Sequence, residues 1–263
     1  MKPFKYESKP QDRNGLVHWS EEETEVWRHL MVRQLACIEG KACKEYLDGL
    51  DMLGLPITQI PQLPDINRVL QGATGWSLAP VPALIDFDRF FALLANRQFP
   101  VATFLRTRSD IDYLQEPDYF HEIFGHCAML TNPAFAAFTQ LYGKLGVNAS
   151  KAERVYLARL YWFTVEFGMI RSDDGFSIYG GGILSSPAET VYAFSDEHVL
   201  REPLDIIEVM RTPYRIDILQ PIYFYLDDMH QLYELSKIDL MACVRQAMKM
   251  GLHEPLYPMK IAQ

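Results

Sequence analysis

The run Glu116-Pro117-Asp118-Tyr119-Phe120-His121-Glu122-Ile123-Phe124-Gly125-His126 sets two histidines five residues apart. A zinc hydrolase of the HExxH type needs its histidines four apart, on one helix face. At five apart on a regular helix, with ~100° per residue, the two imidazoles point ~140° away from each other. They converge on one ion only if one lies at a helix end or the turn is distorted. Gly125 and the preceding Glu116-Pro117-Asp118 supply such an irregularity. Without convergence, the pair reads as two surface histidines on an ordinary helix.

Two imidazoles need a third ligand, and Glu166 in Leu160-Tyr161-Trp162-Phe163-Thr164-Val165-Glu166-Phe167 is the best candidate. A carboxylate among aromatic and aliphatic side chains is costly to bury unless it is paired or bound to a cation. The alternative is an exposed glutamate on the polar face of an amphipathic helix. Two histidines and one carboxylate on one face of an ion is the arrangement of non-haem Fe(II) oxygenases, though the same ligand types also accept zinc.

Around these runs, helical punctuation dominates. Ser20 with Glu23 forms a capping box ahead of Val26, Trp27, Leu30, Met31, Leu35 and Ile38. Tyr46, Leu47, Leu50 and Leu53 form a second amphipathic stretch, and Pro56, Pro61 and Pro64 a rigid connector. Asp65 opens a short helix, and Asp86 or Asp88 caps one through Phe90, Phe91, Leu93 and Leu94. Asn132-Pro133 starts another, and Ser150 with Glu153 caps a long one running to Phe167. Val101 to Leu105 and Ile222 to Leu226 read as strands, and Asp173-Asp174-Gly175 as the turn of a small hairpin. Gly180-Gly181-Gly182 permits close backbone approach. Ser186-Pro187-Ala188-Glu189 reads as a capping box, and residues 228–250 as a closing helix stopped at Gly251.

The chain has 263 residues, 49% of them apolar, which is enough for a large core. Its net charge of −9, with no basic run, lacks the footprint of a nucleic-acid or anionic-membrane binder. No window approaches the ~20 apolar residues of a membrane helix, and the N-terminus has no signal-peptide core. Cys37, Cys43, Cys127 and Cys243 are scattered and match neither a disulfide framework nor a zinc site. The expectation is a reduced, cytoplasmic, mainly α protein with a few short strands and a single domain over 1–263. Residues 1–19 are read as an extended N-terminal segment. The 13% aromatic content is first assigned to core packing.

With Tyr161-Trp162-Phe163-Thr164-Val165-Glu166-Phe167-Gly168 and Tyr179-Gly180-Gly181-Gly182-Ile183-Leu184-Ser185-Ser186 added to the histidine run, the sequence resembles the pterin-dependent aromatic amino acid hydroxylases. Within them it is most similar to the bacterial phenylalanine 4-hydroxylases, in order from about residue 20 to about 240. The resemblance implies the helical basket of that catalytic domain. It implies neither the N-terminal regulatory domain nor the C-terminal assembly helix of the animal enzymes, hence a monomer or weak dimer.

By that resemblance, His121, His126 and Glu166 bind Fe(II), while Asp118 and Ser185 orient His121. Arg106 holds the substrate carboxylate, and Pro117 and Trp162 wall the aromatic pocket. Leu114 stands where many relatives carry threonine, which removes one hydroxyl near the amino acid backbone. Phe90 stacks on the reduced pterin beside Ile85 and Ala158. Glu122 lies next to pterin and iron, and Glu189 near the iron ligands, although a capping role for Glu189 also fits. Ala128 replaces a proline common after the second histidine. The implied reaction joins L-phenylalanine, dioxygen and tetrahydrobiopterin to give L-tyrosine. Ile216 falls where tyrosine hydroxylases tend to carry aspartate. An apolar contact there favours a bare phenyl ring over a phenol, so phenylalanine is expected ahead of tyrosine and tryptophan. A zinc hydrolase using Glu122 as general base, and a non-enzymatic helical binding module, are the competing readings.

Overall fold

The computed structural model describes residues 5–173, 175–195 and 197–258. The first helix, α1 (Glu21–Ile38), starts at the expected capping box: Ser20 accepts from Glu23 N, and the Glu23 carboxylate returns to Ser20 N. Such a cap contributes about 1 kcal/mol. Its inner face buries Val26, Trp27, Leu30, Met31 and Ile38. In α2 (Lys44–Leu53), Tyr46 is buried, whereas Leu47 is exposed, contrary to the amphipathic reading. The third helix, α3 (Leu63–Ala73), begins two residues before Asp65, with Pro64 in its first turn where a missing N–H costs nothing.

Next come β1 (Ser77–Val81), α4 (Phe87–Ala95) and β2 (Gln98–Ala102), a strand–helix–strand unit whose strands pair in parallel. Pro80 argues against a strand in sequence, but in a two-stranded sheet one side of β1 needs no partner. Asp86, not Asp88, caps α4 by accepting from Arg89 N; Asp88 pairs instead with Arg154. The strand expected at Val101–Leu105 lies earlier. It ends at Ala102, and residues 103–106 continue as buried, irregular backbone.

The histidine run forms a π-helical turn, His121–Cys127. Asn132 caps α5 (Pro133–Asn148), and the Ser150–Glu153 box caps α6 (Lys151–Tyr161). The long helix expected to reach Phe167 changes at Trp162 into a second π-helical turn, Trp162–Glu166. It leads into β3 (Gly168–Ser172), which pairs antiparallel with β4 (Gly175–Ile178) as the predicted hairpin; Asp174 of its turn lies outside the described residues.

Two short helices follow, α7 (Gly181–Leu184) and α8 (Pro187–Ser195). Then come β5 (Leu200–Pro203), α9 (Ile206–Arg211) and β6 (Ile222–Leu226). The second sheet has the order β4-β3-β6-β5, with β6 parallel to both of its neighbours. Strand β5, Leu-Arg-Glu-Pro, is a polar edge with no alternation to announce it. The single closing helix is two: α10 (His230–Leu235) and α11 (Leu240–Met250), the latter capped by Asp239 and ended at Gly251 with φ 78°. One contiguous apolar core runs from α1 to α11 and takes in both π turns.

Candidate active site

The ~140° problem is solved by the backbone. A π turn bonds i to i+5, so residues five apart stack on one side of it. His121 Nε2 and His126 Nε2 therefore stand 3.1 Å apart. The second π turn brings Glu166 Oε2 to 3.3 Å from His126 Nε2 and 3.7 Å from His121 Nε2. These are the only three such groups, among the described residues, placed to share a metal ion.

Two glycines allow the approach. A Cβ on Gly181 would lie 2.4 Å from the His126 ring, and one on Gly125 would lie 2.7 Å from the Gly181 carbonyl oxygen. The first π turn is thus seated directly on α7, as the triple glycine implied. Phe99 of β2 packs on the other ring contact of His126, at 5.1 Å.

The donor chemistry fits a divalent cation. Ser185 Oγ donates to the Gly181 carbonyl at 2.8 Å, so its lone pair accepts the Nδ1–H of His121, also at 2.8 Å. That hydrogen-bond network assigns the tautomer and turns the Nε2 lone pair of His121 toward His126 and Glu166. Burial, and then the neighbouring His126, lower the His121 pKa to about 4, so its ring is neutral and ready to ligate. Bonds of about 2.1 Å at right angles place donors about 3.0 Å apart, close to the separations here. Two imidazole nitrogens and a carboxylate oxygen thus face one another, a donor set suited to a divalent cation.

Arg106 and Asp118 are both buried and locked together. Arg106 Nε and Nη2 each lie 2.8 Å from an Asp118 oxygen, and Arg106 N donates to the same carboxylate at 3.0 Å. Burial alone would raise the Asp118 pKa, but the guanidinium beside it prevails and holds the carboxyl below its usual range. Asp118 also accepts the backbone N–H of His121 at 3.0 Å, so it meets that residue's main chain and leaves the ring to Ser185. The fork of Arg106 faces Asp118 through Nε and Nη2, and Nη1 has no hydrogen bond among the described residues.

A cavity of 460 Å³ opens on the triad and is lined by Arg106, Leu114, Pro117, His121, Trp162, Glu166, Ser185, Glu189 and Ile216. Trp162 is sandwiched between Tyr214 at 4.3 Å and Phe167 at 4.4 Å, and donates Nε1–H to Gln220. Ile216 is 52% exposed at the rim, so it is not the buried apolar contact expected. Glu189 does not close a capping box. Ser186 accepts from Glu189 N, but the carboxylate turns away to accept from Gln220 N and Tyr223 OH. Burial raises its pKa. Gln220, Tyr223 and Tyr214 build this wall without any sequence motif; a buried Gln before β6 is the one faint signal.

The expected pterin side is assembled differently. Phe90 is half-buried and meets Tyr161 edge-on at 5.5 Å. Glu122 is buried, and burial, then Glu166 and Asp118, push its carboxyl well above the usual carboxylate range. Ile85 and Ala158 are half-buried, and Ala158 lines a second, larger cavity rather than the first.

Known proteins agree with this geometry. The profile of the biopterin-dependent aromatic amino acid hydroxylases matches residues 3–246. The phenylalanine-4-hydroxylase of Pseudomonas aeruginosa is 61% identical over 262 residues, covering all of both chains. The apo structure of the cold-active phenylalanine hydroxylase of Colwellia psychrerythraea superposes with a TM-score of 0.95 at 55% identity, covering 98% of this chain and 100% of that one. The Chromobacterium violaceum phenylalanine hydroxylase, solved with iron(III) and 7,8-dihydrobiopterin bound, gives a TM-score of 0.86 at 39% identity over 96% of this chain and 93% of that one. With the distorted turns, the facial triad and these likenesses together, the chain belongs to the biopterin-dependent aromatic amino acid hydroxylase family.

Proposed function

We propose that this protein is an Fe(II)-dependent phenylalanine 4-monooxygenase, converting L-phenylalanine to L-tyrosine with dioxygen and a reduced pterin such as tetrahydrobiopterin. The observation that carries the reading is the convergence of His121, His126 and Glu166, with His121 and Glu166 lining an aromatic-walled cavity. Bound iron and reduced pterin supply the activation of dioxygen; the protein supplies position, a dry wall and fixed protons. The same named relatives make a zinc hydrolase or a non-enzymatic helical module unnecessary.

The residue roles follow from what each side chain can offer. His121, His126 and Glu166 would hold the ion through two imidazole nitrogens and one carboxylate oxygen. Ser185 keeps the His121 Nε2 lone pair facing the metal site by accepting a hydrogen bond from Nδ1–H. Arg106, braced by Asp118, offers Nη1 to the substrate carboxylate, and Leu114 beside it adds no hydroxyl. Trp162 and Pro117 flank the phenyl ring; the stack on Tyr214 and Phe167 keeps Trp162 from swinging away. Phe90, with Ile85 and Ala158 near it, forms the flat apolar surface for the pterin. Glu122, whose carboxyl burial pushes above the usual carboxylate range, would meet a pterin polar atom. Glu189 acts one layer back, by fixing Gln220 and, through it, Trp162.

The chain as one catalytic domain is supported by a large core that runs from α1 to α11. No helix among the described residues is long and apolar enough to cross a membrane, and the four cysteines are free, which favours a reducing cytoplasm. A net charge of −9 favours a monomer or weak dimer. Turnover of phenylalanine, tyrosine and tryptophan, compared under saturating reduced pterin, tests the substrate. Phenylalanine is expected to be fastest, because Ile216 offers no partner to a phenol; faster hydroxylation of tyrosine overturns the assignment.

A further inference from the structure

A cavity of 1040 Å³ lies beside the triad cavity and shares Ile216 and Asp217 with it. One wall is a stripe of α6, residues 151, 154, 155, 158 and 159, at the i, i+3, i+4 spacing of a single helix face. Ala158 stands at the end of this stripe nearest Trp162 and Glu166. The opposite rim carries Asp86 and Phe87, which directly follow Ile85. Of the residues assigned to the pterin, Ala158 lines this cavity, and Ile85 is the chain neighbour of its Asp86.

Its charges are uneven. Arg154 pairs with Asp88 at 2.6 Å, and Arg215 with Asp217 at 2.9 Å, while Asp86 is used as a helix cap. Arg159 and Lys151 have no carboxylate partner among the described residues. Arg159 is half-buried and lies 5.2 Å from the Tyr156 ring; Nη1 donates to Val155 O, while Nε is buried with no acceptor. Burial disfavours its charge more than the neighbouring Tyr156, Tyr214 and Tyr257 favour it. A half-buried guanidinium with spare donors, between Tyr214 and Tyr257 in an acidic protein, is built for an anion that arrives with a flat or apolar body.

We propose that this cavity takes the substituent at C6 of the reduced pterin, and that Arg159, aided by Lys151, binds a negatively charged group on it, a carboxylate or a phosphate. The proposal rests on the pterin reading above and extends it to the class of pterin used. Aromatic side chains of the cavity pack on the body of the substituent, and Arg159 closes on its charged end.

Calorimetric titration of the metal-free full chain tests this with three oxidised ligands that cannot react. These are 7,8-dihydrobiopterin with an uncharged tail, 7,8-dihydrofolate with a carboxylate tail, and 7,8-dihydroneopterin monophosphate with a phosphate tail. At least one charged ligand is expected to bind about tenfold more tightly than dihydrobiopterin, and the arm that gains identifies the anion. Arg159→Gln is expected to remove that gain while changing dihydrobiopterin binding less than about twofold, with Arg159→Lys retaining part of it. Equal binding of charged and uncharged tails overturns the proposal, as does a gain that survives Arg159→Gln. If Arg159→Gln folds poorly, Lys151→Gln and the salt dependence carry the same comparison, and a gain insensitive to both overturns it. Absence of dihydrobiopterin binding to the wild-type chain would instead sink the pterin reading itself.

Discussion

At the scale of single residues, hydrogen bonds to Ser185 and Glu189 set the geometry of the site. Ser185 has one proton and spends it on Gly181 O, which forces His121 Nδ1 to be the donor. Glu189 is the more testable case. Its carboxylate accepts from Gln220 N and Tyr223 OH in a buried place, and burial raises its pKa. A carboxyl whose folded pKa lies above its unfolded value, ~4.3, favours folding most below that value and loses the contribution as pH rises through the folded pKa. Glu189→Gln keeps both acceptor contacts and removes the charge, so thermal melts from pH 4 to about 8 should show the variant gaining on wild type as pH rises. Glu189→Ala leaves two buried donors unpaired and should cost about 1–3 kcal/mol across the range. Parallel pH profiles for wild type and Glu189→Gln would show that the group does not titrate on folding. The sequence held two readings of Glu189, cap and site; its backbone N–H meets the cap and its side chain does not.

At the scale of elements, both ligand-bearing segments are π-helical, and this is what the sequence left undecided. The i+5 spacing forbids convergence on an α-helix, and that much was legible from His121 and His126 alone. Which distortion resolves it was not, because a π turn is selected by tertiary seating: Gly125 against Gly181, and Gly181 against the His126 ring. Gly181→Ala should therefore act on the metal and the fold together. Its Cβ at 2.4 Å from the ring must push His126 aside, which we expect to cost about 1–3 kcal/mol and at least tenfold in iron affinity. Denaturant unfolding and iron titration of this variant measure the two effects; wild-type values for both would mean that the close contact carries nothing. Capping boxes at Ser20 and Ser150 were readable because their chemistry is local. The edge strands β1 and β5 were not, since only pairing with a distant strand makes them strands.

At the scale of the whole molecule, the aromatic excess divides into two uses. Most rings fill the core around Trp27, Tyr119, Phe120 and Phe124, as composition implied. Trp162, Tyr214 and Phe167 form a stacked wall over the metal ligands, a role that composition alone could not assign. The three ligands come from segments that meet only in the folded chain, so metal binding and folding are linked. Adding Fe(II) anaerobically, at about 100 times its dissociation constant, should stabilise the wild-type chain by about 2.7 kcal/mol and raise its melting temperature. Glu166→Ala should lose most of that response while folding normally without metal. An equal rise in both chains would place the ion elsewhere.

The most direct test of the account is an anomalous difference map, collected at the iron absorption edge from crystals grown with Fe(II). It should show one strong peak per chain, about 2.0–2.2 Å from His121 Nε2, His126 Nε2 and the Glu166 carboxylate. A map with no peak between these three groups, or with its strongest peak away from them, would contradict the assignment.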